Sequence, residues 1–261
     1  MRNARVIPVL LLRGGGLVKT RQFRDPRYIG DAINAVSIFS EKMVDELVLL
    51  DIDATRTGRA PNIELVQDIA SEAFIPLCYG GGVTTLDHFE HLLKAGVEKV
   101  SVNSAFGEDV RLIESAALRY GSQSVVVGMD VRREGSGYAV KTRGGTKQIS
   151  TDPVAWAKRA EAAGAGEIML QSIDRDGMGE GYDLELIEMF SKAVNVPVVA
   201  LGGAASIADL KAAVRNGAAA AAAGSMFVFF GRLQGVLINT PDPETLRRAL
   251  AEAEGETGIS A

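Results

Sequence analysis

Tyr79-Gly80-Gly81-Gly82-Val83 and Leu201-Gly202-Gly203-Ala204 are two glycine-rich runs, and each ends a short apolar segment that opens beside a proline. They lie 121 positions apart, since Gly81 maps onto Gly202 (202 − 81 = 121) and Pro76 maps onto Pro197 (197 − 76 = 121). The same shift aligns further identical residues: Glu46 with Glu167, Leu49 with Leu170, Asp53 with Asp174, Gly96 with Gly217 and Ser104 with Ser225. The chain therefore contains an internal duplication, in which the second half repeats the first at an offset of 121 residues. Each half supplies one strand that ends in glycines, where backbone N–H groups can approach an anion closely.

Apolar runs of strand length alternate with amphipathic stretches along the chain. The predicted strands cover residues 5–12, 45–52, 74–79, 97–103, 124–130, 166–173, 196–201 and 218–224, and helical patterns cover 63–73, 86–95, 153–163, 184–193 and 207–216. Strict alternation indicates parallel strands joined by right-handed crossovers. Eight units with a two-fold repeat of four predict one (β/α)8 TIM barrel domain over residues 1–261, with half-barrels at about 1–121 and 122–240. An open doubly wound sheet is the alternative, but it does not explain the repeat.

The composition argues against several classes of protein. The net charge is −5, which excludes a broad basic surface for nucleic acid. Cys78 is the single cysteine, so cysteines can form neither a disulfide framework nor a metal cluster. His88 and His91 are the two histidines and lack a nearby third ligand, so we expect neither a metal nor a cofactor. No apolar run reaches the length of a membrane span, and we expect a cytoplasmic protein that does not enter a membrane.

Three segments do not fit the alternation of strands and helices: residues 13–30, residues 132–150 and the tail from Met226. Residues 13–30 follow the first strand, are glycine-rich and then basic, and predict either a lid over an anionic substrate or a solvated loop. Residues 132–150 follow the fifth strand and predict a small hairpin around Gly135. The tail from Met226 carries three phenylalanines, Phe227, Phe229 and Phe230, that we expect to cover the edge of the barrel as core. A partner-binding patch is the alternative. We expect residues 251–261, which are small and polar, to be frayed.

Seven short motifs follow one another along the chain: Ile7-Pro8, Asp45-Glu46-Leu47, Gly80-Gly81-Gly82, Ser101-Val102-Asn103-Ser104, Asp174-Arg175-Asp176-Gly177, Gly181-Tyr182-Asp183 and Gly202-Gly203. In this order and spacing the chain resembles, up to about Ser225, the HisF family, the cyclase subunit of imidazole glycerol phosphate synthase. In that family the barrel receives ammonia from a glutaminase subunit at its N-terminal face. The ammonia reacts with a ribonucleotide at the C-terminal face. The resemblance implies a HisH-like glutaminase partner and a phosphorylated small-molecule ligand.

The resemblance also implies roles for individual residues. Two phosphate sites would be formed by Gly82, Asn103 and Ser104, and by Asp176, Gly177, Gly203, Gly224 and Ser225. An ammonia gate at the bottom of the barrel would be formed by Arg5, Glu46, Lys99 and Glu167, and Lys19 would belong to the lid. The simpler interpretations are turn chemistry for the glycines and serines and a structural plug for the four charges. Strand parity places a mostly apolar set above the charges, as a dry passage or a filled core: Val9, Val48, Ser101, Val126 and Met169.

One half of the family's acid–base pair is missing. The family places one catalytic aspartate at the end of strand one and another at the end of strand five. Strand five keeps Asp130, whereas strand one reads Val9-Leu10-Leu11, and a leucine cannot transfer a proton. Gln171 and Leu201 also depart from the family's pattern. The sequence therefore predicts an intact gate and intact phosphate sites beside an incomplete catalytic pair.

This combination resembles HisF paralogues of surface-polysaccharide (lipopolysaccharide O-antigen) biosynthesis. There a HisF-like and a HisH-like protein supply ammonia to a third, ATP-dependent amidotransferase, which converts an acetamido group on a sugar into an acetamidino group. Three other hypotheses remain open. The chain could be a genuine cyclase subunit of histidine biosynthesis, an isomerase acting on a bis-phosphorylated aminoaldose, or a scaffold without catalytic activity. Leu11 counts equally against the isomerase, because that chemistry also uses a carboxylate on strand one.

Overall fold

Eight parallel strands close into a barrel in the computed structural model of the chain, which describes residues 4–231 and 233–257. The strands are β1 Arg5–Arg13, β2 Gly16–Arg21, β3 Arg24–Asp31, β4 Leu47–Asp51, β5 Leu77–Gly80, β6 Lys99–Val102, β7 Val125–Glu134, β8 Gly137–Thr142, β9 Lys147–Ser150, β10 Glu167–Ser172, β11 Val198–Leu201, β12 Ala220–Ala223, β13 Phe229–Phe230 and β14 Gly235–Val236. The helices are α1 Ala32–Glu41, α2 Ala54–Thr57, α3 Ile63–Ser71, α4 Leu86–Lys94, α5 Ser104–Glu108, α6 Arg111–Tyr120, α7 Pro153–Ala162, α8 Leu184–Ala193, α9 Ile207–Arg215 and α10 Pro243–Thr257. Neighbours around the barrel are β1, β4, β5, β6, β7, β10, β11 and β12, and β12 pairs with β1 to close the ring. The predicted (β/α)8 barrel is confirmed.

The internal duplication is visible as matched elements. Strand β5 begins at Leu77 and β11 at Val198 (198 − 77 = 121), and both are four residues long. Helices α4 and α9 begin at Leu86 and Ile207 with the same offset, and a hydroxyl side chain caps each of them. The two-fold repeat is therefore structural as well as sequential. The boundaries of the half-barrels stay a prediction, and residues 1–3, 232 and 258–261 of the predicted domain lie outside the described residues.

The solvated loop expected at residues 13–30 is wrong, because β2 and β3 fill that segment, and the alternative of a lid stays a prediction. Strand β2 runs antiparallel to β1, with Leu11 opposite Val18, and β3 pairs with β2. Leu17 and Val18 are buried against the barrel, which explains why this segment is a hairpin and not a solvated loop. The hairpin predicted within 132–150 is confirmed and is larger than expected, because β7, β8 and β9 form a three-stranded meander.

The tail differs from the expectation in two ways. Phe227 is buried, Phe229 is half-buried and Phe230 is exposed. Of the three phenylalanines expected in the core, only Phe227 is therefore fully buried. Helix α10 continues to Thr257 and bonds to α9 through Lys211 and Glu252, whose Nζ and Oε2 atoms lie 2.8 Å apart. The segment 251–257 is therefore helical, and the last four residues of the predicted frayed end lie outside the described residues.

The strands separate two apolar regions. Alternate residues of β1 show the division, because Val6 and Leu10 pack toward the helices whereas Val9 and Leu11 pack inside the barrel. The interior also contains residues from the other strands, among them Val48, Cys78, Val126, Met169, Val199, Leu201, Ala220 and Ala222. Within the described residues, no helix is both long enough and apolar enough to cross a membrane.

Candidate functional site

Asp130 ends the inward-facing row of β7 at the mouth of the barrel. It lines a cavity of about 810 Å³, and its Oδ2 accepts a hydrogen bond of 2.8 Å from Asn103 Nδ2. Burial raises the pKa of Asp130 to about 7, against the opposing effect of Asn103 and with a further contribution from the charge of Asp176. A carboxyl group with such a pKa can give or take a proton near neutral pH.

Leu11 lines the same cavity from β1, at the position where the resemblance implies the second carboxylate. It is 9% exposed and belongs to the apolar region inside the barrel, together with Val18 and Leu201. The side chain of Leu11 can neither donate nor accept a proton. The cavity therefore contains Asp130 without the second carboxylate that the resemblance implies at position 11.

Asp176, predicted in the second phosphate site, is engaged by the β2–β3 hairpin. Its Oδ2 accepts a 2.7 Å hydrogen bond from Thr20 Oγ1 and a 3.2 Å bond from the Phe23 N–H, and its Oδ1 accepts one from Gln171 Nε2. The Gln22 N–H donates to the Asp176 carbonyl at 2.9 Å. Burial raises the pKa of Asp176. The side chain thus fastens the hairpin over the second half of the mouth, and its phosphate role stays a prediction.

Lys19, predicted on a lid, is a buried residue of β2. Its Nζ donates a hydrogen bond to the Val9 carbonyl, and a Cβ placed on Gly224 would lie 2.6 Å from that Nζ. Burial lowers the pKa of Lys19 to about 8, against the opposing charge of Asp176. The ammonium group therefore lines the pocket of the second predicted phosphate site, and the lid role of Lys19 stays a prediction.

The structure brings together the residues of each predicted phosphate site. Ser104 opens α5 beside Gly82 and Asn103 in the large cavity, and its Oγ accepts the Arg143 N–H at 3.1 Å, which leaves the hydroxyl proton free to donate. The second set lines a much smaller pocket of about 30 Å³ that includes Lys19: Gly177, Gly203, Gly224 and Ser225. The residues of each set therefore lie together, and anion binding by either set stays a prediction.

The glycines of these sites are also required by the packing of the chain itself. Gly82 has a φ of 70° and Gly203 a φ of 107°. A Cβ on Gly203 would lie 2.2 Å from the Gly181 carbonyl oxygen, and one on Gly82 would lie 2.5 Å from that of Arg59. The two loops therefore need glycine whether or not an anion binds.

Sequence reasoning missed a difference between the two halves of the duplication, in the loops that follow β5 and β11. His88 Nδ1 accepts the Thr84 N–H at 3.2 Å, and at the equivalent position Asp209 Oδ2 accepts the Ala205 N–H at 2.9 Å (209 − 88 = 121). Burial, followed by the charge of His91, lowers the pKa of His88, which favours the neutral imidazole that this bond needs. The duplication could have revealed this exchange of residues, because the offset aligns the two positions in sequence.

Four charged residues form a closed ring at the opposite, N-terminal end of the barrel. Arg5 bonds to both Glu46 and Glu167, and Lys99 Nζ lies 2.7 Å from Glu46 and 3.1 Å from Glu167. Burial alone would lower the pKa of Lys99, but Glu167 and then Glu46 outweigh it and the pKa is raised. The structure thus places Arg5, Glu46, Lys99 and Glu167 together, and each of the two cations pairs with both carboxylates.

Comparisons with known proteins place the chain among close relatives. The family model described as "Histidine biosynthesis protein" matches residues 5–234. A Pseudomonas aeruginosa protein named "Putative imidazole glycerol phosphate synthase subunit hisF2" is 51% identical over 248 residues, covering 94% of this chain and 99% of that protein. A Vibrio vulnificus protein with the same designation but numbered hisF3 is 47% identical, covering 96% of this chain and 97% of its own length. A Dehalococcoides mccartyi protein named "Imidazole glycerol phosphate synthase subunit HisF" is 44% identical over 89% of this chain and 92% of its own length.

Proposed function

Because the chain belongs to the HisF group of the histidine biosynthesis protein family, we propose that it is the barrel subunit of a glutamine-dependent amidotransferase complex. It receives ammonia from a HisH-like glutaminase at its N-terminal face and conducts it through the barrel. A third, ATP-dependent enzyme uses the ammonia at the C-terminal face. The reaction that fits is the acetamidino modification of a surface-polysaccharide sugar in the cytoplasm.

The observation that carries this proposal is Leu11 in the same cavity as Asp130, above an intact ring of charges. Ammonia has to travel as the neutral molecule, because an ammonium ion would lose its hydration in an apolar passage. The interior above the ring is mostly apolar and therefore suits this requirement. At the mouth, the missing carboxylate removes the chemistry that would consume the ammonia in a cyclase.

The N-terminal face has features that support a glutaminase partner there. Met43 and Phe74 are exposed large apolar residues between a helix and the following strand, where the N-terminal ends of β4 and β5 lie. Both backbones bond to Ser40, the Met43 N–H to its carbonyl at 2.9 Å and the Phe74 N–H to its Oγ at 2.8 Å. They form an apolar patch on the same face as Glu98 and Lys99, near which we expect the contact.

The cyclase reaction tests this proposal. We expect the purified chain to have negligible ammonia-dependent activity on the ribonucleotide substrate of the HisF cyclase, since loss of a proton-transfer group costs about 10²–10⁴-fold in rate. The gene should fail to complement a histidine auxotroph that lacks its cyclase. Leu11→Asp is the informative variant, and Leu11→Asn, which has nearly the same shape but cannot transfer a proton, is its control. Turnover by the wild-type chain at an ordinary enzymatic rate would contradict the proposal.

A genuine cyclase subunit of histidine biosynthesis is the second candidate. It is favoured by a specific observation, namely that the mouth holds two groups that titrate near neutral pH. The pKa of Asp130 is raised to about 7 and that of Lys19 is lowered to about 8, and both face pockets that Leu11 also lines. If Lys19 replaced the missing carboxylate, Lys19→Met would abolish a measurable wild-type cyclase activity.

A further inference from the structure

Exposed large apolar side chains are confined to the two ends of the barrel. Within residues 4–231 and 233–257, four of them lie at or near the N-terminal end: Ile38, Met43, Phe74 and Leu118. The other six lie at the C-terminal end: Tyr28, Met178, Phe230, Leu233, Val236 and Leu237. Of these ten residues, Ile38 and Leu118 lie on helices, in the last turn or two of α1 and α6. Apolar surface collected at both mouths of a barrel is the pattern expected of a subunit that is covered at both ends.

The larger cluster is on the small β13–β14 hairpin and the segment that follows it. Phe230 is 61% exposed and Leu233 is 94% exposed, and Val236 and Leu237 project from the return strand and its extension. Side chains so exposed contribute little to the stability of the barrel. We use the name rim patch for two groups of residues. They are the four apolar residues Phe230, Leu233, Val236 and Leu237, and the neighbouring arginines Arg21, Arg24 and Arg27.

Three arginines of the β2–β3 hairpin border these apolar residues. The Arg27 guanidinium lies 5.0 Å from the centre of the Phe229 ring and donates to the Gln234 carbonyl at 3.2 Å, and Arg21 Nη2 lies 3.4 Å from Gln234 Oε1. Arg24 is exposed at the turn of the same hairpin. In the described part of the chain, Arg21 and Arg27 bond to the neutral Gln234, and none of the three arginines forms an ion pair with a carboxylate. The protein as a whole has a charge of −5. The rim patch is thus locally cationic, and its complement is an acidic surface.

The rim patch adjoins the mouth of the barrel. Phe23 and Pro26, on the same hairpin as the arginines, line the large cavity that contains Asp130. The hairpin is held over the barrel by Asp176, through Thr20 and the Phe23 N–H. A partner that binds the rim patch would therefore lie next to the opening of this cavity.

We propose that the rim patch is the docking surface for the ATP-dependent enzyme that consumes the ammonia. That enzyme would present an apolar pocket ringed by carboxylates, which receives the β13–β14 hairpin and pairs with Arg21, Arg24 and Arg27. The inference rests on the proposed function, since it assigns the C-terminal face to the acceptor enzyme and the N-terminal face to the glutaminase. An anionic membrane surface and a second copy of the chain are the other possible occupants.

The test is a binding measurement with a purified ATP-dependent amidotransferase of acetamidino-sugar synthesis, with and without a HisH-like glutaminase. The variant is Leu233→Asp combined with Arg24→Glu, two exposed positions outside the predicted phosphate sites and the charge ring. We expect it to lower the affinity about tenfold or more, as truncation of interface anchors does. Leu118→Asp is the matched control, because Leu118 is 92% exposed at the opposite end, and it should leave this affinity unchanged. Glutaminase binding by the double variant shows that the barrel is folded.

The outcomes separate the two proposals. Wild-type binding that is weakened by the double variant and not by the control supports the rim patch. Wild-type binding that survives the double variant overturns the rim patch and leaves the proposed function standing. Failure of the wild-type chain to bind the amidotransferase, with and without glutaminase, overturns both. If the wild-type chain floats with phosphatidylglycerol vesicles and the double variant does not, the patch binds a membrane. If the isolated wild-type chain dimerises and the double variant does not, the patch binds a second copy. Either result also overturns the inference.

Discussion

Replacing Asp130 by asparagine should stabilise the protein at alkaline pH much more than at acidic pH. Burial raises the pKa of Asp130 from 3.8 to about 7, so the folded state prefers the neutral carboxyl. Because the pKa of Asp130 is higher in the folded state than in the unfolded state, the neutral carboxyl contributes to the unfolding free energy, and this contribution is fully present below about pH 4. The contribution is lost as the pH rises through about 7. Asparagine is neutral at every pH and its side-chain oxygen can still accept the hydrogen bond that Asn103 donates.

The magnitude follows from the two pKa values. Each pH unit between 3.8 and about 7 corresponds to about 1.4 kcal/mol, so complete ionisation of Asp130 in the folded protein costs about 4 kcal/mol. Part of the side chain faces the open cavity, where water reduces the cost. We therefore expect the variant's gain in unfolding free energy to be about 2 kcal/mol larger at pH 8.5 than at pH 4.5.

Urea unfolding of the wild type and the variant at both pH values measures this difference. Asp68→Asn, at an exposed position on α3, is the control and should change stability by less than about 0.5 kcal/mol at either pH. A gain that is the same at pH 4.5 and pH 8.5, or a loss at pH 8.5, would refute the reasoning. Either result would mean that water solvates the Asp130 carboxyl at the mouth of the barrel and that burial does not raise its pKa.

Two further predictions concern the ends of the barrel. Lys99→Met should lower the unfolding free energy by about 3 kcal/mol, because Glu46 and Glu167 would then share Arg5 alone. Lys94→Met, which removes only the exposed pair with Glu90, should cost less than about 0.5 kcal/mol, and equal losses would contradict the ring. Sulfate titration should find two sites in the wild type, of which Ser104→Asp removes the first and Ser225→Asp the second. Loss of neither site would argue against both. Gly203 is unsuitable for this test, because a side chain there would meet the Gly181 backbone.

Most of the barrel can be predicted from the sequence because of the duplication, since each strand found in one half locates its counterpart in the other half. The matching of Leu77–Gly80 with Val198–Leu201 fixes two strands at once, and strand parity then places Lys99 and Glu167 on the same inner surface. These inferences need only the period of a strand and the offset between halves. Leu11 could also be recognised at the barrel mouth from its parity with Val9.

The remaining features depend on contacts between distant residues. Lys19 reads as part of a basic loop, and its burial becomes apparent only when β2 lies along β1 and its Nζ reaches the Val9 carbonyl. Asp176 and Thr20 are 156 positions apart, so no local pattern could have indicated their hydrogen bond. The exposure of Phe230 is a similar case, because an aromatic residue reads as core unless the surrounding surface is known.

The measurement that tests the central claim most directly compares the two sources of ammonia in a variant with a filled barrel. Val48 is fully buried inside the barrel, beside Val9 and two residues above Glu46, and Val48→Phe should cost about 1–3 kcal/mol in overpacking while leaving the fold intact. Val100→Phe adds the same volume on the outer side of the barrel wall and is the control. In the complex with glutaminase and acceptor enzyme, we expect Val48→Phe to stop incorporation of nitrogen from ¹⁵N-amide glutamine into product and to spare incorporation from ¹⁵N-ammonium added to the solution, with the control unaffected. Equal loss from both sources in a folded variant, or no loss from either, would contradict the conduit.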